Sequence, residues 1–563
     1  MSRRGGGPTG LGFAGPGGTM ASPARLVILA GLIAAVVVVL GYFVFRQCTG
    51  ASCTKLYCAS SGDAAIPEGY ERVTSVYKLK SGAKLPDGND VQVFLPLSAA
   101  TDDGRNLSFY RYIEQTGAWE PVAPAILDAQ GNTVAATLPE LPDRIAVLRR
   151  LSGAGHVVGY VKHNQALHPS AAANLTVLHT RDFRPGSDGR LEGTITDPKL
   201  IGAGPEVQHF PTVYVDGADK GLIPIVDSLM TNTQARTNHV RAITALVNER
   251  QLPGIDISYF DLNANLRTPF ALFILELGQS LQASGKRLSV TLPAPQKAGD
   301  RIDEGSYDWK TIGQAADILQ IWPYRDQSTL RRDLPEILTH LKMLVEPAKL
   351  VYTVTPYATE KSVDGIRTMS LLDAMTIAGT LQLRTGADGR VATNSSIVVI
   401  APNINQADGR SGIGWQASTA SVAFTYEQNV PRTVWIENFF SIGFKLQFIV
   451  NHKLGGVAIE DASSTPEIGN IWPALIPFIS TGQPVLLQPN PAELVPEWTV
   501  SKGTGDGGQK GELKWATPAE SGTYTIKLTI SDGIAAFENT IPVTVQQAAR
   551  PTPTVAPSAT PRN

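Results

Sequence analysis

The sequence predicts a multidomain chain organised around a (β/α)8 barrel. Its 563 residues far exceed the length of one typical domain. Strand-like and helix-like patterns alternate between about residues 155 and 475, which is typical of a parallel sheet built from βα units. Eight such strands can be drawn in the sequence, and eight strands close a barrel. On both sides of this region short strands recur without a helical period, which predicts smaller β domains.

The composition is that of a globular protein. Hydrophobic residues make up 43% of the chain and charged residues 17%, so a large core can be buried. The net charge is -2, and no run of Lys or Arg is present. These values give no indication of a nucleic-acid partner.

The N-terminal segment predicts a membrane anchor. Residues 1–25 are rich in Gly and Pro, which predicts disorder. Residues 26–45 form an unbroken apolar run that is long enough to cross a bilayer, and no signal-peptide cleavage site follows it. We expect a single-pass helix in the cell membrane. The charges flanking this run favour an extracytoplasmic bulk only mildly, so the orientation rests partly on the family resemblance described below.

A stalk over residues 46–65 contains the only cysteines, Cys48, Cys53 and Cys58. Their spacing lacks a Cys-x-x-Cys pair and no His accompanies them, so they do not predict a zinc site. A local disulfide with a spare thiol, acylation of Cys48 and a plain flexible stalk all fit the pattern. We expect no metal and no cofactor.

Two β domains are expected beside the barrel. Residues 66–150 predict a small β-sandwich with Tyr110 and Trp119 in its core. Residues 485–547 also read as sandwich strands, and they resemble bacterial immunoglobulin-like domains of the polycystic-kidney-disease type. Trp498 and Trp515 are assigned to the core of this second domain. A tail rich in Pro and Thr, residues 548–563, predicts disorder.

The barrel itself is expected over residues 151–480. A helix over residues 238–249 has one apolar face. Residues 358–428 are too many for a loop and predict an α+β insertion after the seventh strand. The eight predicted strands are 156–162, 175–179, 207–215, 254–262, 287–292, 318–324, 350–355 and 455–460.

The fourth strand carries the most informative motif, which reads LPGIDISYFD over residues 252–261. Alternate side chains of a strand share one face, so Asp256, Ser258 and Phe260 point the same way. The chemistry of this strand is expected on that face.

This run resembles the fourth-strand signature of glycoside hydrolase family 18, the chitinase family, which reads Asp-Gly-x-Asp-x-Asp-x-Glu. Gly254 and Asp256 match, whereas Pro253, Ser258 and Phe260 replace the first Asp, the third Asp and the catalytic Glu. The runs GHVVGY from residue 155, LSVTLPA from residue 288 and DILQIWPYR from residue 317 are similar to strands one, five and six of the family. The resemblance covers roughly residues 155–475. It implies a glycan ligand and, where the Glu is present, substrate-assisted hydrolysis.

The chain departs from the family where the chemistry occurs. Phe260 has no proton to give, and Ser258 has no charge to stabilise the reaction intermediate. Glu460 stands where strand eight usually has Trp, and Arg325 stands where strand six has Asp, so an ion pair between the two is the simplest explanation of both. No catalytic residue is therefore assigned, and the candidates are Asp256, Glu460 and Asp261, the last of which falls on the opposite face of its strand.

Substrate contacts are implied at the carboxyl ends of the strands, where barrels of this kind hold their sites. In the family, the residue matching Tyr324 holds the N-acetyl carbonyl oxygen. A structural role for Asp256 as a buried, hydrogen-bonded carboxylate fits equally well. The expected substrate-binding residues are Tyr160, Asp256, Trp322, Tyr324, Arg325, Tyr357 and Glu460.

Three functions remain open from the sequence. The first is a membrane-anchored chitinase-like protein that binds a glycan containing N-acetylglucosamine, such as peptidoglycan or a chitin-type oligomer, without normal hydrolysis. The second is an active glycosidase with a relocated catalytic carboxylate. The third is a cell-surface scaffold that binds a protein.

Overall fold

The computed structural model of the chain describes residues 54, 56–60, 64–67, 70–83, 91–100, 107–128, 132–138, 140–150, 155–216, 219–385, 389–508 and 510–547. The segments predicted as a disordered N-terminus (1–25), a membrane helix (26–45) and a disordered tail (548–563) lie outside these residues, as does most of the stalk. In the part that is described, no helix is both long enough and apolar enough to cross a membrane. Cys58 is disulfide-bonded, and Cys48 and Cys53 lie outside the described residues.

The N-terminal domain consists of two antiparallel sheets that share one core. Phe109 and Ile145 come from the larger sheet and Leu95 and Val134 from the smaller one, and all four are buried in the same cluster. The Trp119 ring is also buried, and its indole N–H donates to a backbone carbonyl 2.9 Å away. It packs with Tyr110 in a second cluster on the other face of the larger sheet, beside Ile476, so the prediction that these two rings belong to the sandwich core was wrong. The strands are β1 (Tyr57–Ala59), β2 (Tyr70–Arg72), β3 (Tyr77–Leu79), β4 (Val91–Pro96), β5 (Leu107–Ile113), β6 (Ala118–Pro124), β7 (Ile126–Leu127), β8 (Thr133–Leu138) and β9 (Arg144–Arg150).

The central region supplies the strands of the barrel and of its insertion. They are β10 (His156–Lys162), β11 (Val177–Pro185), β12 (Leu191–Gly193), β13 (Gln208–Val215), β14 (Gly254–Tyr259), β15 (Arg287–Leu292), β16 (Gln296–Ala298), β17 (Arg301–Asp303), β18 (Ile318–Ile321), β19 (Leu350–Val354), β20 (Ala358–Ser362), β21 (Gly365–Met369), β22 (Gln382–Arg384), β23 (Val391–Ala392), β24 (Ser396–Ile400), β25 (Gly414–Gln416), β26 (Ser421–Gln428), β27 (Val430–Ile436) and β28 (Gly456–Ile459).

Eight of these strands close a parallel barrel, as the sequence predicts. Strands β10, β11, β13, β14, β15, β18, β19 and β28 follow one another around it in chain order. The ring is closed because β10 pairs in parallel with both β11 and β28. Strand β14 ends earlier than predicted, and Asp261, two residues past its end, adopts left-handed backbone (φ 53°) that turns the chain away from the strand direction.

An apolar layer fills the lower end of the barrel. It consists of buried side chains from six different strands, namely Val158, Val177, Phe210, Ile318, Val351 and Ala458. Gly254 is required at the start of β14, because a Cβ there would lie 2.6 Å from the Phe210 ring and 2.5 Å from the carbonyl oxygen of Arg287. The glycine of the strand-four motif thus allows this apolar layer to pack closely.

Helices cover the outside of the barrel and part of the insertion. The predicted helix over residues 238–249 is the C-terminal part of α3, which buries Val240, Ile243 and Val247. The helices are α1 (Pro169–Asn174), α2 (Leu222–Thr231), α3 (Thr233–Glu249), α4 (Arg267–Gln282), α5 (Trp309–Ala315), α6 (Gln327–Leu344), α7 (Leu371–Ala378), α8 (Phe439–His452) and α9 (Trp472–Thr481).

The C-terminal strands are β29 (Glu497–Val500), β30 (Thr504–Gly508), β31 (Glu512–Ala516), β32 (Gly522–Ser531) and β33 (Ala536–Gln546). They do not build their two sheets alone, because β31 pairs with β24 and β33 pairs with β23. Each four-stranded sheet therefore contains strands of the insertion. Trp515 is fully buried in the shared core, as expected, and Trp498 is partly buried against it.

This pairing divides the chain differently from the predicted boundaries 358–428 and 485–547. Strands β22, β23 and β24 fold with the C-terminal segment, while β20, β21, β25, β26 and β27 form a separate five-stranded sheet. The partners β24 and β31 are more than a hundred residues apart, and a local sequence pattern does not contain that information. The immunoglobulin-like assignment stays a prediction.

Candidate functional site

Strand β14 presents the motif to the barrel interior with the predicted alternation. Asp256 bonds to residues of other barrel strands, and the Phe260 ring lies beside Trp322, which follows β18. Tyr259 points the other way, and its hydroxyl lies 2.7 Å from His239 on α3. The period of two thus separates the interior face from the helix-packing face.

Asp256 lies at the centre of a buried polar network. One carboxylate oxygen accepts hydrogen bonds from Ser289 (2.8 Å) and Thr291 (3.0 Å), and the other accepts from the Tyr160 hydroxyl (2.9 Å). Burial raises the pKa of Asp256 to about 7, although these hydrogen bonds act in the opposite direction. Near neutral pH this carboxyl therefore exchanges between its two protonation states.

His179 and Gln320 extend this network across the barrel. The Gln320 amide donates to Tyr160 (3.1 Å) and to Ser289 (3.0 Å). His179 Nδ1 lies 3.5 Å from the Asp256 carboxylate, and burial lowers the pKa of the imidazole to about 3, so the ring is neutral. His179, Gln320, Ser289 and Thr291 were not identified from the sequence, although the inward parity of their strands was available as a signal.

Aromatic rings lie above this network towards the mouth of the barrel. The Phe260 and Trp322 ring centres are 5.5 Å apart, and Trp322 meets Tyr160 edge to face at 5.2 Å. Phe260 is half-buried, whereas Tyr160 is buried. Phe260, which the resemblance matches to the family's proton donor, is thus part of an aromatic cluster with Trp322 and Tyr160.

Arg325 and Glu460 form the ion pair that the sequence predicts. Two hydrogen bonds join the guanidinium and the carboxylate, at 2.8 and 2.5 Å. The Glu460 side chain is only 13% exposed. Burial lowers the pKa of Arg325, but the Glu460 carboxylate more than offsets this and raises it overall, so the guanidinium keeps its charge. The Glu460 carboxylate is engaged in a salt bridge with Arg325, and this arrangement does not suit a general acid.

The other candidates are arranged around this centre in different ways. The Tyr324 hydroxyl lies 3.1 Å from both Thr329 and Asp333 on α6, so its phenol is occupied there and is not part of the Asp256 network. Tyr357 donates a short hydrogen bond to Asp461. Asp261 is exposed in left-handed backbone beyond the end of β14.

The fold and this site together define a class of protein, a closed eight-stranded βα barrel with a buried polar network inside and aromatic residues at its mouth. Residues 226–463 match the family model described as "Glycosyl hydrolases family 18". This match covers less than half of the chain and includes strands β14, β15, β18, β19 and β28 of the barrel. The barrel region is therefore similar to glycoside hydrolase family 18.

Two proteins of Bacillus subtilis (strain 168) are similar to this chain. One, named as a sporulation-specific glycosylase, YdhD, is 24% identical over 237 residues, which cover 41% of this chain and 52% of that protein. The other, "Uncharacterized glycosylase YvbX", is 24% identical over 184 residues, covering 30% of this chain and 52% of that protein. The chain thus spans about half the length of the curated relatives it matches.

Solved structures of related proteins are also similar to this chain. The spore cortex-lytic enzyme SleL of Bacillus megaterium QM B1551 has 17% identity and a TM-score of 0.44, over 61% of this chain and 79% of that chain. A chitinase of Chromobacterium violaceum ATCC 12472 has 19% identity and a TM-score of 0.43, over 57% of this chain and 98% of that chain.

Proposed function

We propose that this protein is a membrane-anchored, extracytoplasmic family 18 protein that binds a glycan containing N-acetylglucosamine without hydrolysing it by the family's mechanism. The observation that carries the proposal is the position of Phe260. Its ring packs beside Trp322 where the family has the Glu that protonates the leaving group. Loss of a positioned proton donor forfeits about 10²- to 10⁴-fold in rate.

The same residues favour binding. Phe260 and Trp322 offer apolar ring surface at the mouth of the barrel, and aromatic faces are the usual platforms for the apolar faces of sugar rings. The Asp256 network beneath fixes the Tyr160 ring that packs against Trp322. A rigid platform loses little conformational entropy when a ligand binds.

An active glycosidase with a relocated acid finds less support. Both oxygens of Glu460 accept hydrogen bonds from Arg325, so neither is free to donate a proton to a leaving group. Asp261 is exposed and lies past the end of the strand. Asp256 has a suitable pKa, but its oxygens are enclosed by Ser289, Thr291 and Tyr160, below the aromatic rings.

The location outside the cytoplasm rests on the apolar run over residues 26–45 and on the disulfide bond of Cys58. Disulfides persist in oxidising compartments. Such a location would place the barrel beside cell-envelope glycans.

The test is a paired measurement of binding and hydrolysis on the full-length protein, with N-acetylglucosamine oligomers and with peptidoglycan fragments. We expect calorimetric binding without release of reducing ends. Phe260→Ala and Trp322→Ala should each weaken the affinity about tenfold, which corresponds to about 1.4 kcal/mol. The matched control is Phe94→Ala, because Phe94 is an exposed ring in the N-terminal domain.

Two results would overturn the proposal. The first is hydrolysis by the wild-type protein that Glu460→Gln abolishes, which would establish a relocated catalytic carboxylate. The second is an absence of binding to every glycan tested, which would leave the scaffold function.

A further inference from the structure

A second group of reactive side chains lies outside the barrel interior. His163 follows the end of β10, Asp182 belongs to β11, and Thr194 follows the end of β12. The proposed glycan site uses none of the three. Their contacts form a relay from a buried carboxylate to an exposed hydroxyl.

The Asp182 carboxylate is fully satisfied by donors. It accepts from the hydroxyl and the backbone N–H of Thr196 at 2.7 and 2.9 Å, and from the Thr180 hydroxyl at 2.6 Å. His163 Nδ1 lies 2.8 Å from Asp182 Oδ1, the oxygen that also accepts from the Thr196 hydroxyl. The Asp182 side chain has no exposed surface, so its charge is directed to these four donors.

This arrangement fixes the tautomer of His163. Because a carboxylate only accepts, Nδ1 carries the proton, and the lone pair of the neutral ring is on Nε2. The Asn164 amide donates to Nε2 at 2.8 Å, and the Thr194 hydroxyl lies 3.3 Å from the same nitrogen. The imidazole is 37% exposed, so a base oriented by a buried acid faces both a hydroxyl and solvent.

Thr194 also lines a pocket of about 370 Å³ on the outer flank of the barrel, between the β12 segment and α3. Most of the lining is apolar and two charged side chains complete it; the residues are Phe183, Leu191, Ile195, Leu246, Glu249 and Arg250. The pocket is separate from the barrel mouth, and its lining suits an apolar chain that ends in a polar group.

We infer that Thr194, His163 and Asp182 form an acyl-transfer site for carboxylic esters with an apolar acyl group. The Thr194 oxygen attacks the ester carbonyl while His163 Nε2 takes the hydroxyl proton. The bond to the alcohol oxygen breaks, and the alcohol leaves with that proton. Water then attacks the acyl-threonine with His163 again as the base, which releases the carboxylic acid and restores the hydroxyl. Asp182 is a positioning residue that holds the tautomer.

The geometry supports each role. Nucleophile and base stand at 3.3 Å, and such contacts are often looser before the ligand binds. Base and positioning acid stand at 2.8 Å. A hydrogen-bond network that served only the fold would account for Asp182, but it would not require a partly exposed imidazole beside a hydroxyl that lines a pocket. For His163 to act as the base, Nε2 exchanges its hydrogen bond from the Asn164 amide for one from Thr194.

The test uses the full-length protein with p-nitrophenyl butyrate, followed by acid quenching and peptide mass spectrometry. We expect turnover, a butyryl mass increment on the peptide containing Thr194, and labelling of the same residue by a fluorophosphonate probe. Thr194→Val and His163→Asn should each lower turnover about 10²-fold. Thr231→Val and His452→Asn are matched controls on helices away from the cluster and should leave turnover unchanged.

A folding control separates catalysis from a role in stability. Circular dichroism of Thr194→Val should match the wild type, because Thr194 is exposed. Turnover that survives Thr194→Val, or a label on any other residue, would overturn the inference. Wild-type protein with neither turnover nor label would overturn it as well.

Discussion

The Asp256 carboxyl should make the fold less stable as the pH rises. Burial moves its pKa from an ordinary 3.8 to about 7, so over that interval the native state holds a proton that the unfolded chain releases. The native state then binds more protons, and the free energy of unfolding falls with increasing pH. Each pH unit contributes about 1.4 kcal/mol, and roughly three units give about 4 kcal/mol in total. Above about pH 7 the contribution of this group is constant.

The assay compares the wild type with Asp256→Asn by urea unfolding at several values between about pH 4 and 8. Their difference isolates the carboxyl. The comparison with the variant is needed because burial lowers the pKa of His179 to about 3. The unfolded chain binds a proton at this ring that the native state does not, so His179 makes the free energy of unfolding rise with pH in both proteins. The variant should gain stability relative to the wild type as the pH rises through this interval. A difference that does not change with pH, or that changes in the wild type's favour, would refute the assignment of a raised pKa.

Three further outcomes follow from the contacts. Glu460→Gln leaves a partly buried guanidinium with a weakened partner and should lower the free energy of unfolding by about 2–4 kcal/mol, whereas Glu493→Gln, at an exposed position, should leave denaturant midpoints unchanged. Trp515→Ala leaves a cavity in the core shared by insertion and C-terminal strands and should cost about 3–5 kcal/mol, visible as faster proteolysis between residues 389 and 395. Equal proteolysis of variant and wild type would contradict a shared core. Phe260→Glu combined with Ser258→Asp should raise hydrolysis of a fluorogenic N-acetylglucosamine oligomer about 10²-fold, while neither single change should do so; no gain from the pair would mean that the site lacks more than its two carboxylates.

Local patterns were sufficient to predict the barrel strands. A parallel strand buried on both faces is a short apolar run, and β10, β13 and β15 were placed within a residue of their observed bounds. The parity of β14 also followed from the motif alone, so the inward positions of Asp256 and Phe260 were predictable. The ion pair of Arg325 and Glu460 required one more step, namely that two unusual residues on neighbouring regions of the mouth compensate each other.

Contacts that depend on distant segments were not predictable in the same way. The hydroxyl of Tyr324 is taken by Asp333 on the following helix, and sequence position alone does not indicate which way a ring turns beyond the end of a strand. The pairing of β24 with β31 joins segments that look like independent units, because strand patterns specify a face but not a partner. His163 and Thr194 are brought together by the β12 segment, whose pairing with β11 extends beyond the barrel ring.

Asp256 and Phe260, two residues of the strand-four motif, are under different physical constraints. Asp256 is enclosed by Ser289, Thr291 and Tyr160, and removing the carboxylate would leave buried donors unsatisfied at about 1–3 kcal/mol each. Phe260 lies at the half-buried rim, where replacing a carboxylate by a ring adds packing against Trp322 and leaves no donor unpaired. A reactive group at the rim can therefore be replaced without unfolding the protein, whereas removal of the buried Asp256 carboxylate lowers the stability of the fold. The presence of Asp256 in this chain is consequently explained by the packing of the barrel interior and is not by itself evidence of hydrolysis.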